Sequence, residues 1–187
     1  MKAVRINQIK NHSDETVILN GWVYNSRRSG KIGFLTLRDG FGLAQCIIVK
    51  DEIGDKLFES FKRLTQESSL SITGKVVKND RAIGGYEILV QNFEVHHLSH
   101  DYPITPKEHG TEFLMSNRHL WLRSKRQHAI LKIRHQIIKS IRDFFDMNDF
   151  TLVDTPIFTP NAAEGTSTLF KTEYFGKEAF LAQTGQL

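Results

Sequence analysis

"SGKIGFLTLRDGFGLAQC", residues 29–46, alternates as a half-buried β-strand must, with Leu35 and Leu37 on one face and Phe34, Thr36 and Arg38 on the other. If the leucines face a core, Phe34 faces water among arginines, where its ring gains nothing from burial. The Asp39–Gly40 pair is turn chemistry, and "LAQCIIV" after it reads as a second strand that carries Gln45. An aromatic ring turned outward on a strand needs either a covering partner or a bend that returns it to the core.

The same texture extends over residues 17–98 as five short β-rich runs: "VILNGWVYN", "FLTLR", "LAQCIIV", "LSITGKVVK" and "YEILVQNFEVHHL". Between the third and fourth, Ile53, Leu57, Phe58 and Phe61 recur at helical spacing, with Lys62 and Arg63 closing the segment as one helix. Three strands, a helix and two strands is the order of the five-stranded OB barrel, a fold that often binds single-stranded nucleic acid. Residues 99–112, "SHDYPITPKEHGTE", hold two prolines and a glycine without apolar periodicity and read as a linker. The domains expected are therefore 1–98, a hinge at 99–112, and a second domain over 113–187. There Ile130, Ile133, Ile137, Ile141 and Phe144 form one apolar stripe on a long helix. A short run "FTLVDTPIF", a polar loop and a strand in "EAFLAQTGQL" follow it.

Composition sets outer bounds. The 187 residues are 40% hydrophobic, enough for a buried core, and Lys plus Arg number 25 against 21 acidic residues, a net charge of +4 that favours a polyanionic partner. A single cysteine, Cys46, excludes an internal disulfide and a cysteine zinc cluster, so a reducing compartment, the cytoplasm, is expected. No apolar run approaches the roughly 18 residues that span a bilayer, so no membrane partner is expected, and the start "MKAVRINQIKNH" lacks the apolar stretch of a signal peptide.

Chemistry can be read from a few positions. An exposed Phe34 can stack on an unpaired base whatever its identity, for roughly 1 to 3 kcal/mol. Identification needs hydrogen bonds to the base edge, and Gln45 offers a donor and an acceptor that match uracil. Arg27, Arg28 and Lys31, in or near the first turn, could hold flanking phosphates. The alternative is that Phe34 fills a bent barrel's interior and the cations are a solvated face. His96, His97 and His100 are close in sequence, but adjacent strand positions point to opposite faces, so no metal site is expected. Cys46 reads as a core residue and "AIGGYE" as a hairpin turn.

"GWVYNSRRSGKIGFLTLRDGFGLAQ" closely resembles the anticodon-binding barrel of the aspartyl, asparaginyl and lysyl branch of class II aminoacyl-tRNA synthetases. There a phenylalanine stacks on the central anticodon uridine and a glutamine eleven positions later reads its edge, roles the resemblance gives to Phe34 and Gln45. "DYPITPKEHGTEFLMSNRHLWLRSKRQHAILKIR" resembles the hinge and catalytic entry of bacterial asparaginyl-tRNA synthetases, and His119, Trp121 and Ser124 favour asparagine over aspartate. Residues 130–158 resemble the first class II signature, which implies a homodimer interface through Ile133, Ile137, Ile141 and Pro156. Asp149 departs from the family's glycine at the end of the long helix, which puts the geometry of that end in question.

Glu164, in "AAEGTSTLF", resembles a residue of the mobile loop that closes over the amino acid, and Gln186, in "QTGQL", a residue that contacts it. Gly185 replaces the proline usual in aspartyl enzymes, a further vote for asparagine. The implied fold is an OB barrel, a hinge and the beginning of a class II α+β antiparallel-sheet catalytic domain. The implied activity is ATP-dependent activation of asparagine and its transfer to tRNA(Asn), with ATP and Mg2+ as cofactors of the complete enzyme. The second and third signatures, which carry the catalytic arginines, would lie beyond Leu187, so no catalytic residue is expected in this chain and it should not aminoacylate alone. Two other readings remain open: a piece of an aspartyl enzyme, or a free-standing RNA-binding relative without catalysis.

Overall fold

Leu35 and Leu37 are completely buried and Phe34 points to the opposite face in a computed structural model that describes residues 3–161 and 169–186. Five strands close a barrel in the order β1-β2-β3-β5-β4: β1 Thr16–Ser29, β2 Ile32–Arg38, β3 Leu43–Val49, β4 Ser69–Lys78 and β5 Tyr86–His97. All pairings are antiparallel except β3 with β5. Alternate residues of each strand, among them Leu19, Val23, Ala44, Cys46, Ile48, Ile72, Val76 and Ile88, fill the interior. Closure leaves no free edge, so each strand has a neighbour on both sides. Burial pushes the Cys46 thiol up to about 12, which keeps it protonated and inert.

The single helix expected between β3 and β4 is two helices, α1 Lys50–Ile53 and α2 Asp55–Lys62. They break at Gly54, whose φ of 79° is a conformation that glycine alone adopts without strain. The break turns α2 so that Phe58 and Phe61, each 2% exposed, join the barrel core. Phe61 also explains Gly33, because a Cβ there would stand 2.4 Å from the Phe61 ring.

Two polar clusters hold the rest of this unit. Asp39 Oδ1 accepts from the amides of Phe41 (2.7 Å) and Gly42 (2.9 Å), fixing the turn between β2 and β3, while Oδ2 accepts from the Ile6 amide (2.8 Å). Arg38 makes a two-pronged ion pair with the buried Glu67, at 2.6 and 2.7 Å. Residues 99–104 are tied to the neighbouring turn: the Ser99 amide donates to Ser68 Oγ, Thr65 Oγ1 to the Ser99 carbonyl, and Gln66 Nε2 to the Ile104 carbonyl. The stretch read as a linker is thus bound to the barrel at its start. Helix α3, Thr111–Ser116, follows.

The chain divides into two units, residues 1–117 and 118–187. The second holds α4 Arg118–Trp121, the long α5 Lys125–Met147 and a three-stranded antiparallel sheet in the order β6-β8-β7. Its strands are β6 Phe158–Thr159, β7 Lys171–Tyr174 and β8 Lys177–Leu181. Of the run expected at "FTLVDTPIF" only its end is paired, and β7 was not anticipated; β7 and β8 turn at Phe175 and Gly176, both at positive φ. No helix among the described residues is long and apolar enough to cross a membrane.

Helix α5 starts at Ser124, whose hydroxyl accepts from the Gln127 amide (3.3 Å). It ends in a Schellman motif: the Asp149 amide donates to the Asp146 carbonyl (3.2 Å), the Phe150 amide to the Phe145 carbonyl (3.1 Å), and the Phe145 and Phe150 rings meet edge to face. Asp149 occupies the left-handed position itself, at φ 63°, so the helix closes as it would with glycine there and the cost is carried as backbone strain. Asp149→Gly should relieve part of it, about 1 kcal/mol net of glycine's greater freedom when unfolded. The measurable result is roughly fivefold slower hydrogen exchange at the Asp149 and Phe150 amides; unchanged rates would show no strain there.

Candidate nucleic-acid interface

Cross-strand register arranges the outer face of the barrel in rows. Arg27 on β1 stands opposite Phe34 on β2, which stands opposite Ile47 on β3 and, through the parallel pairing, Leu89 on β5. The next outward row is Asn25, Thr36, Gln45 and Glu87. Two residues of strand separate the rows, about 7 Å. Phe34 and Gln45 are therefore diagonal neighbours on one face, both half-buried.

The three cations grouped by sequence are separated by structure. Arg27 lies over the Phe34 ring, its guanidinium carbon 4.1 Å from the centroid. Arg28 is exposed but alternation sends it to the other side of the β1–β2 ribbon, opposite Gly33. Strand β1 runs to Ser29, so of the residues expected in or near the first turn both arginines stand in the last residues of the strand that leads into it. Lys31 does sit in the turn, paired with Asp51 at 3.1 Å.

Glu87, which the sequence reading missed, sits beside Gln45 with its carboxylate oriented by Asn79 Nδ2 at 2.9 Å. Asn79 also organises the turn before β5: its side-chain oxygen accepts from the Arg81 amide, its own amide donates to the Gly85 carbonyl, and Gly84 and Gly85 take positive φ. "KND" opening a turn was legible as a signal; that it would orient a carboxylate next to Gln45 was not.

In the second unit Ile133, Ile137 and Ile141 present one stripe of α5 at 61%, 54% and 53% exposure, and Pro156 is also exposed. Gln186 is exposed, its amide donating to Thr184 Oγ1. Glu164 lies outside the described residues. Among the described residues no group of three or more His, Cys, Asp or Glu could hold a metal ion.

The face can do three things chemically. It offers a flat ring for stacking, a carboxamide that donates and accepts, and a carboxylate that only accepts, with the Arg27 cation lying over the ring.

Comparison with known proteins gives two family matches: residues 17–95 match an OB-fold nucleic acid binding domain, and residues 110–187 match the class II tRNA synthetases (D, K and N). The chain is 57% identical over 177 residues to the asparagine–tRNA ligase of Sorangium cellulosum, covering 94% of this chain and 40% of that protein. The crystal structure of asparaginyl-tRNA synthetase from Pyrococcus horikoshii complexed with asparaginyl-adenylate superposes with a TM-score of 0.91 at 35% identity, over 100% of this chain and 44% of that one. The asparaginyl-tRNA synthetase of Entamoeba histolytica, also with asparaginyl-adenylate, gives 0.74 at 32% identity, over 93% and 41%. The chain thus spans less than half the length of the relatives it matches.

Proposed function

The chain belongs to the class II tRNA synthetases of the aspartyl, asparaginyl and lysyl branch, and from that membership we propose that it serves asparagine–tRNA ligation, with the barrel as the module that reads the anticodon of tRNA(Asn). The observation that carries this reading is the outward Phe34, capped by Arg27, with Gln45 one row away. An unpaired uridine stacks on Phe34 and Gln45 pairs with its edge, while Glu87 accepts from the N–H edge of a neighbouring base. Arg27 moves off the ring to a phosphate or to the base's other face, and Arg28 and Lys31 add to the attraction for flanking phosphates. In this reading residues 1–98 form the anticodon domain and 99–112 the hinge of a cytoplasmic enzyme.

Ile133, Ile137 and Ile141, with Pro156, are assigned to a homodimer interface on the resemblance of residues 130–158 to the first class II signature, a stretch inside the matched synthetase family region. Glu164 and Gln186 take part in holding asparagine. ATP and Mg2+ belong to the complete enzyme.

The test is binding of an anticodon stem-loop with each of the four bases at its centre. Uridine should be preferred, and Gln45→Ala should erode that preference by about two- to tenfold, the worth of a hydrogen bond, while leaving stacking in place. Equal affinity for all four centres in the parent would sink the proposal.

A further inference from the structure

Outward from β1, beyond the row that holds Gln45, lies Trp22, 41% exposed and paired across strands with Arg38 on β2 and Ser69 on β4. The sequence reading gave it no role. Its ring is held by a rigid neighbour: the Arg38 guanidinium lies 5.9 Å from the ring centroid and is itself clamped by Glu67. Beside the ring, Ser71 Oγ donates to Asn20 Oδ1 at 2.7 Å and is 2.7 Å from His96 Nε2. Asn20, Trp22, Ser69, Ser71 and His96 line an open groove of about 350 Å³.

We propose that this groove is a second nucleotide site, in which a base of the same bound RNA stacks on Trp22 and is hydrogen-bonded by Asn20, Ser71 and His96. The set is a flat ring with side-chain donors and acceptors and neither a carboxylate nor a Lys or Arg among the lining residues, which suits the edge of a base better than a phosphate. Its position is continuous with the Phe34 face. Trp22 lies one row beyond Gln45 and two rows, about 14 Å, from Phe34, so a different nucleotide from the one on Phe34 would fill it. The bulge in β1 between Val23 and Asn25 increases the local twist and carries the outer face round from Arg27 toward the groove. This inference rests on the RNA-binding reading of the barrel and adds a site to it.

Trp22 supplies its own probe, because the chain has only two tryptophans. In the full chain carrying Trp121→Phe, a fluorescein-labelled anticodon stem-loop is titrated while RNA anisotropy and Trp22 emission are both followed. The expected result is saturable quenching of Trp22, and its protection from acrylamide, with the midpoint of the anisotropy curve. Trp22→Leu should weaken binding about fivefold to a hundredfold and leave the preference for a central uridine intact, whereas Trp22→Phe should keep most of the affinity because a stacking face remains. His96→Ala should weaken binding severalfold. An anisotropy transition with unchanged Trp22 emission overturns the second site and leaves the Phe34 reading standing, as does undiminished binding by Trp22→Leu; this is also the outcome if the groove serves a protein partner. No binding of the stem-loop at all overturns both.

Discussion

Phe34→Ala is expected to weaken binding of the anticodon stem-loop by about 1 to 3 kcal/mol, the worth of one base stacked on an aromatic ring. The loss falls on affinity and not on folding, because Phe34 lies on the outer face and its removal opens no cavity among the buried residues. The free protein already uses the ring: Arg27 covers it, a contact worth about 0.5 to 1 kcal/mol at an exposed site. A base must displace that contact or sandwich against it, so the net gain lies below the full stacking energy unless Arg27 finds a phosphate. Arg27→Ala therefore has two opposed effects, a bared ring and a lost cation, and should flatten the salt dependence of binding more than it changes affinity at high salt. Isothermal titration of parent and Phe34→Ala with one stem-loop checks the main expectation. Unchanged affinity in a folded variant would leave the ring without a role.

Glu67→Gln should cost about 3 kcal/mol of stability, the largest effect expected of a single polar substitution in the barrel. Glu67 Oε1 and Oε2 take both prongs of the Arg38 guanidinium, and the two side chains are 3% and 16% exposed. Removing one charge leaves the other desolvated without a counter-charge, and that penalty exceeds the modest worth of the pair itself. The backbone there is equally committed: the Glu67 amide donates to the Val23 carbonyl and the Val23 amide to the Ser68 carbonyl, both at 2.8 Å, locking β1 to the turn before β4. Denaturant unfolding followed by far-ultraviolet circular dichroism reads the change as a shift of midpoint at constant slope. A shift equivalent to less than about 1 kcal/mol would mean that water reaches Arg38 well enough to replace its partner.

The barrel was legible because its signals are local. Alternation around Leu35 and Leu37, turn residues at Asp39 and Gly84, and helical spacing at Phe58 and Phe61 each act within a few residues. The same locality explains the errors. Ile53 through Phe61 kept a helical period straight through Gly54, and only the need to aim Phe58 and Phe61 into the barrel required the break at φ 79°. Arg27 and Arg28 are neighbours in the chain and opposites in space, because β1 extends further than its apolar residues do. The short strand β7 has four exposed residues and no alternation to betray it.

Sequence alone decided that this chain builds a five-stranded barrel followed by a long helix, and that Phe34 lies on the strand face opposite Leu35 and Leu37, since side-chain alternation on a strand obeys nearest-neighbour geometry; that this face stays outside the barrel was decided by the fold. Tertiary structure decided what surrounds that ring. Parallel pairing of β3 with β5 sets Glu87 beside Gln45, antiparallel pairing of β1 with β2 lays Arg27 over Phe34, and closure through β4 gathers Asn20, Ser71 and His96 next to Trp22. These residues lie far apart in the chain, and nothing in the chemistry of a short stretch records which distant strand will become its neighbour.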